Sequence, residues 1–142
     1  MMRGAFCLRV IVMSLFTIFA TPALATPAFQ AGEWEITTRT EMPGLPFAAP
    51  AITTRQCLTL RDRIPQGKDA TGGCSVVNQN SSGDTVQWTM RCDSPDGTTE
   101  ARGEVTYSGT TMSGISHITT SGRGETVHMT SHMSGHRISP CK

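Results

Sequence analysis

The chain has few of the residues that build a hydrophobic core, and almost no net charge. Of the 117 residues after Ala25, only 16 are Leu, Ile, Val or Phe. That share lies below the roughly 20% under which chains are often disordered, although a disordered chain would also carry a high net charge. The same residues carry 10 basic and 11 acidic side chains. This balance gives no electrostatic argument for a nucleic acid or an anionic membrane as a partner.

Long apolar runs are absent beyond the first 25 residues. Residues 1–25 carry Arg3 and Arg9, then an apolar run over 10–20, and end in Ala-Leu-Ala. This order is typical of a secretory signal peptide, although an uncleaved membrane anchor is the alternative. We expect cleavage after Ala25, a periplasmic or secreted protein, and no stable membrane insertion after cleavage. Residues 26–142 are then long enough for a single domain.

Cys-x-x-Cys pairs are absent, so the common redox motif is excluded. Four cysteines follow the leader, namely Cys57, Cys74, Cys92 and Cys141. In an oxidising compartment they should form two disulfides, which would support a thin core. A turn centred on Gly83 would place Cys74 and Cys92 opposite each other in an antiparallel hairpin. Cys57 would then join Cys141, and this is our preferred pairing among three connectivities.

The alternation of apolar and polar residues indicates β-strands. It occurs in Trp34–Thr38, Val86–Cys92 and Ala101–Tyr107, and further candidate strands cover 51–58, 74–80, 111–120, 125–133 and 136–139. Turn sequences at 81–84, 94–97, 108–109 and 121–124 separate five of them. The one helical signal is Thr59, which could cap a single turn ending by Pro65. We predict an all-β, antiparallel meander of about seven or eight strands that closes into a small barrel or sandwich with two disulfides.

Six short segments occur in one order along the chain. They are GEWE at 32–35, EMPGLPF at 41–47, QCLT at 56–59, WTMRC at 88–92, YSG at 107–109 and SGHRISPC at 134–141. With these segments and its four cysteines, the chain resembles the exported bacterial family known as domain of unknown function 3617. The resemblance covers essentially all of 26–142. It implies a small exported envelope protein of Gram-negative bacteria, and it brings no activity and no catalytic residues.

A loop with three prolines offers the first candidate binding site. Met42, Leu45 and Phe47 lie in this loop, and exposing these apolar side chains to solvent is unfavourable. Either they cover an open end of the barrel, or they line a pocket for an apolar ligand together with Trp34 and Trp88. The function we expect from this reading is non-catalytic binding of an apolar small molecule or of an envelope partner protein.

The alternative function is the binding of a copper-type metal. The C-terminal region carries His128, Met129, His132, Met133 and His136, and imidazole and thioether groups are copper ligands. On a strand, however, residues four apart are about 13 Å from each other. A metal site would therefore need His117 or another partner from a neighbouring strand, or a bulge near Gly135. The simpler interpretation turns the methionines towards the core and the histidines towards water.

A third possibility is an unrecognised enzyme. Ser116 precedes His117, but the glycine pattern of a nucleophile elbow is missing. The cysteines are assigned to disulfides, which leaves no thiolate nucleophile. We therefore predict that the protein is not an enzyme and that it has no cofactor.

Overall fold

The computed structural model describes residues 29–46, 49–65 and 73–142. The predicted signal peptide lies outside the described residues, and so does Phe47. The described chain forms seven strands, β1 Gly32–Glu41, β2 Ile52–Leu58, β3 Cys74–Ser82, β4 Thr85–Ser94, β5 Gly97–Ser108, β6 Thr111–Gly122 and β7 Glu125–Ser139. Over these three ranges no helix is long and apolar enough to span a membrane.

All seven strands belong to one antiparallel sheet with the order β2-β1-β7-β6-β5-β4-β3. From β3 to β7, each strand pairs with the next through a two-residue loop. Strand β7 then pairs with β1, and β1 pairs with β2. The predicted all-β antiparallel meander is confirmed. The two C-terminal candidate strands, 125–133 and 136–139, form the single long strand β7.

The two faces of the sheet differ in composition, because directly opposed residues of antiparallel strands point to the same side. One side, here called the core face, carries the buried residues Trp34, Ile36, Val86, Trp88, Val105, Tyr107, Met112 and Met133. The other side, here called the polar face, carries mainly threonine, serine and charged residues together with all four histidines. Apolar and polar residues therefore alternate along the strands because successive side chains point to the core face and the polar face in turn.

The predicted closure into a barrel or sandwich is wrong, because β2 and β3 are the two free edges of a single open sheet. Towards the core face, β2 presents Thr54 and Gln56, and β3 presents Gln79 and Ser81. Joining these edges would bury polar side chains at the seam, which is unfavourable unless each one finds a hydrogen-bond partner. These polar residues on the core side of the edge strands therefore favour an open sheet over a closed one.

Three aromatic rings form the centre of the core. The ring centroids of Phe29 and Tyr107 lie 4.8 Å apart in a T-shaped arrangement, and those of Trp34 and Tyr107 lie 5.5 Å apart. Such pairs contribute about 0.5–1.5 kcal/mol each beyond the burial of their surface. The indole Nε1 of the fully buried Trp34 donates to the carbonyl of Gln30 at 3.1 Å. The short segment before β1 is thereby fixed against the core face.

The connection from β2 to β3 starts at one edge of the sheet and ends at the other. It buries Ile64 in the core, and its Arg63 carbonyl accepts a hydrogen bond from the Tyr107 hydroxyl. The predicted helical turn does not form, although the Asp62 N–H donates to Thr59 Oγ1 at 3.1 Å as a capping bond would. Tertiary packing of Ile64 therefore decides the path of this segment.

Both predicted disulfides are confirmed by the geometry. The Cα atoms of Cys57 and Cys141 lie 5.6 Å apart, and those of Cys74 and Cys92 lie 3.9 Å apart, with bonded sulfurs in each pair. The first bond connects β2 to the chain end beyond β7, and the second connects the edge strand β3 to β4. Each free edge of the sheet is thus covalently tied to its interior.

The variant Tyr107→Phe should reduce the loss of stability at alkaline pH. Burial raises the pKa of Tyr107 far above its usual 10, against the opposing charge of Arg63. Since the pKa is higher in the folded state, the contribution of the neutral phenol is complete below pH 10 and is lost as the pH rises towards the folded value. From this group alone, the free energy of unfolding should fall by up to about 1.4 kcal/mol per pH unit.

Urea unfolding between pH 9 and 11.5 measures this slope in both proteins. The wild type should lose stability more steeply than Tyr107→Phe above pH 10. Equal slopes would contradict the assignment of the alkaline transition to this phenol.

Candidate functional site

A groove with two lobes lies on the polar face over strands β3 to β6. The first lobe has a volume of about 530 Å³, and its polar lining is Asn78, Asn80, Gln87, Arg102, Glu104 and His117. The second lobe has a volume of about 650 Å³ and continues past Arg91, Asp93 and Glu100. The lobes share Arg102 and His117, which are cross-strand partners on β5 and β6. Both lobes are wide open to solvent, so they form a shallow surface groove and not an enclosed cavity.

Strand register places the lining side chains in two rows across the sheet. One row is Asn78, Thr89, Arg102 and His117, and the next is Asn80, Gln87, Glu104 and Ile115. Between the rows, the backbone at Trp88 and Gly103 forms the floor. The side chain of Trp88 belongs to the core face, and so would any side chain at position 103, so the groove is floored by backbone there.

The charged groups of the groove are paired with their neighbours. Arg102 Nε donates to Glu100 at 2.9 Å, and Arg91 lies 3.7 Å from the same carboxylate. The amide nitrogen of Gln87 donates to Glu104 at 2.6 Å. At the rim, the side chains of Asn78 and Asn80 are exposed. The groove therefore presents neutral amides, which both donate and accept hydrogen bonds, beside an ion pair at Glu100 and a Glu104 carboxylate whose partner is a neutral amide.

The apolar candidates of the sequence are not brought together into one pocket. Trp34 is fully buried and Trp88 is 6% exposed, and both side chains pack in the core. Met42 is half-buried and Leu45 is 45% exposed. The Leu45 N–H donates to the Met42 carbonyl at 3.3 Å and closes a turn between them. Trp34 lies near the start of β1 and Met42 just after its end, about 26 Å away along the strand. Phe47 lies outside the described residues.

The histidine and methionine candidates lie on opposite faces. His128, His132 and His136 project from the polar face of β7, whereas Met129 and Met133 belong to the core face. Met133 is 8% exposed and belongs to the core cluster. Among the residues that the structure describes, no group of three or more His, Cys, Asp or Glu side chains could hold a metal ion. Imidazole and thioether groups therefore do not converge on one ion here.

The adjacent Ser116 and His117 are separated by the sheet. Ser116 is 7% exposed on the core face, and His117 is exposed on the polar face. A nucleophile and a base must lie within hydrogen-bond reach of each other, and alternation along a strand prevents this for neighbours.

Sequence reasoning missed the groove. The sequence shows which residues of each strand are polar, since Asn78 and Asn80 alternate with their neighbours as Arg102 and Glu104 do. The rows across four strands, however, depend on a register that includes an irregularity between Val76 and Asn78. Alternation within one strand carries no information about such a register.

Comparison with known proteins gives a family match. The model of the family described as Protein of unknown function (DUF3617) matches residues 29–141. No curated protein and no solved structure matches the chain.

Proposed function

This chain belongs to the DUF3617 family, and we propose from its own residues that it is an exported, non-catalytic binding domain. The proposed site is the groove on the polar face of β3 to β6, and the proposed ligand is a neutral, hydroxyl-rich chain of the glycan type. The observation that supports this most is the exposed amides of Asn78 and Asn80, which lie beside carboxylates that already have hydrogen-bond partners.

Export is proposed from two features of the chain. Two disulfides tie the sheet, and such bonds persist in oxidising compartments outside the cytoplasm. Residues 1–25 carry the pattern of a secretory signal peptide. The periplasm or the medium is therefore the proposed location.

The chemistry of the groove favours a neutral ligand. Glu100 is held by Arg102 and Arg91, and Glu104 is held by Gln87. A charged ligand would have to break these contacts, whereas hydroxyl groups can add hydrogen bonds to the exposed amides of Asn78 and Asn80. Four strands about 4.8 Å apart span about 14 Å, which suits a short chain of rings better than one ring.

Two other partners remain predictions. An apolar ligand would use Leu45 and Met42, which lie outside the groove, while Trp34 and Trp88 are occupied in core packing. An envelope partner protein would need a surface that no observation singles out. The groove has the more specific geometry, and we therefore place the site there.

Replacing two groove amides should weaken glycan binding without unfolding the protein. The double variant Asn80→Ala, Gln87→Ala removes hydrogen-bonding groups from adjacent strands. We expect at least about ten-fold weaker binding of chitotetraose or maltotetraose, equal to about 1.4 kcal/mol. Calorimetric titration measures it. Substitutions at exposed positions of this kind change stability by about 0.5 kcal/mol or less.

Gln79→Ala is the matched control, because Gln79 lies between the two asparagines on β3 but pairs with Trp88 and belongs to the other face. It should leave binding unchanged. Tetra-alanine and palmitate test the peptide and apolar alternatives with the same protein. Binding of palmitate alone, or equal binding by the double variant and wild type, would contradict the proposal. Native mass spectrometry of the protein purified from cells would identify a ligand that stays bound.

A further inference from the structure

Two histidines on neighbouring strands lie diagonally across from each other. His117 of β6 pairs with Thr130 of β7, and His128 of β7 pairs with Thr119 of β6. Both imidazoles are exposed on the polar face. Diagonal neighbours in an antiparallel pair have Cα atoms about 7–8 Å apart, within reach of long side chains. Two imidazoles at this separation can direct one nitrogen each to the same ion.

A threonine hydroxyl holds Nδ1 of each ring. Thr119 Oγ1 lies 3.1 Å from Nδ1 of His128, and Thr130 Oγ1 lies 3.4 Å from Nδ1 of His117. When Nδ1 carries the proton and donates it to the hydroxyl, Nε2 keeps the lone pair that a metal ion needs. The two threonines are thus positioned to fix the tautomer and to orient both rings.

The charges near these two rings do not oppose a cation. Arg102 faces His117 across β5 and β6, but its guanidinium is engaged by the Glu100 carboxylate at 2.9 Å. On the other side, Glu41 of β1 pairs with Thr130 and adds a negative charge to the same face. Arg39 of β1 pairs with His132 on the same face, so one carboxylate and one guanidinium flank this side of the site.

We propose that His117 and His128 together bind one divalent transition-metal ion through their Nε2 atoms, with water completing the coordination. Imidazole suits Cu²⁺, Ni²⁺ and Zn²⁺, and Cu²⁺ should bind most tightly. Thioether ligation, which would favour Cu⁺, is not part of this site because Met129 belongs to the opposite face. The proposed metal site shares His117 with the groove but uses neither Asn80 nor Gln87, so the two proposals are tested by different variants.

Titration of the tag-free protein with CuSO₄ at pH 7.5 tests the site. We expect saturable binding of one Cu²⁺ per chain, with two imidazole nitrogens visible in the electron paramagnetic resonance spectrum. His117→Ala and His128→Ala should each weaken binding at least ten-fold. Thr119→Val should weaken it by about ten-fold, the lower end of the usual effect of a second partner behind a ligand.

His136→Ala is the matched control, since His136 lies on the same strand and face but pairs with Thr111. It should leave the affinity for Cu²⁺ unchanged. His132 is the other diagonal neighbour of His117 on β7, so His132→Ala tests whether His132 is the second ligand in place of His128. The proposal is overturned if wild type shows no saturable binding, if His136→Ala weakens binding as much as His117→Ala, or if His132→Ala weakens it and His128→Ala does not. Circular dichroism of each variant confirms that the sheet is intact.

Discussion

The double variant Cys57→Ser, Cys141→Ser should lose about 4 to 5 kcal/mol of unfolding free energy. Its disulfide joins residues separated by 84 positions, and the entropy that a crosslink removes from the unfolded chain grows with loop length. Typical domains are stable by about 5–15 kcal/mol in total. The variant should therefore be close to unfolding at 37 °C, with a midpoint about 15–25 °C below wild type.

The double variant Cys74→Ser, Cys92→Ser is the natural comparison. Its disulfide spans 18 positions, which corresponds to a loss of about 3 kcal/mol. Replacing both partners leaves no free thiol to mispair. Urea unfolding of the two variants and wild type gives the order directly. A larger loss for the 74–92 variant would show that local strand pairing, and not loop entropy, determines the contribution of these bonds.

The hairpins were predictable because their signals are local. Residues 121–124 read Ser-Gly-Arg-Gly, and both Arg123 and Gly124 have positive φ, at 54° and 81°. Two consecutive left-handed residues are characteristic of the tight turn that joins antiparallel strands. Short-range turn chemistry together with period-2 alternation therefore defines β3 to β7 and their order.

The pairing of Cys74 with Cys92 was predicted correctly although its premise, a turn centred on Gly83, was wrong. Ser82 pairs with Thr85, so the hairpin is centred between Gly83 and Asp84 and not on Gly83. With a regular ladder, Cys74 would oppose Asp93, and Cys92 would point to the opposite face. The irregularity between Val76 and Asn78 shifts the register by one residue and restores the pair. The number of residues between Cys74 and Cys92 thus depends on a bulge in β3, which the alternation of apolar and polar residues does not reveal.

The open sheet and the groove could not be read from the sequence, since both depend on contacts between distant residues. Strand β1 pairs with β7, so that Glu33 meets Ser139. The alternation of apolar and polar residues shows that one face of a strand is exposed to solvent, but it does not show whether the two edge strands pair with each other. The polar residues Gln79 and Ser81 on the core side of β3 are the one signal against closure that we identify afterwards.

The variant Gly103→Val should destabilise the sheet by about 3 kcal/mol. Gly103 of β5 pairs with Trp88 of β4, and a Cβ atom at this position would overlap Cζ2 and Cε2 of the indole ring. The ring is 6% exposed and packs within the core cluster, so moving it would disturb its core neighbours. Overpacking of a filled core costs about 1–3 kcal/mol and occasionally more, and the branched side chain brings the effect to the upper part of that range.

A double-mutant cycle with Trp88→Leu isolates this overlap from other effects of the valine. The smaller leucine leaves room above position 103, so Gly103→Val should cost at least about 1 kcal/mol less in that background, a coupling typical of residues in contact. Urea unfolding of the four proteins measures the coupling. An equal cost in both backgrounds would assign the strain to the backbone at Gly103 instead.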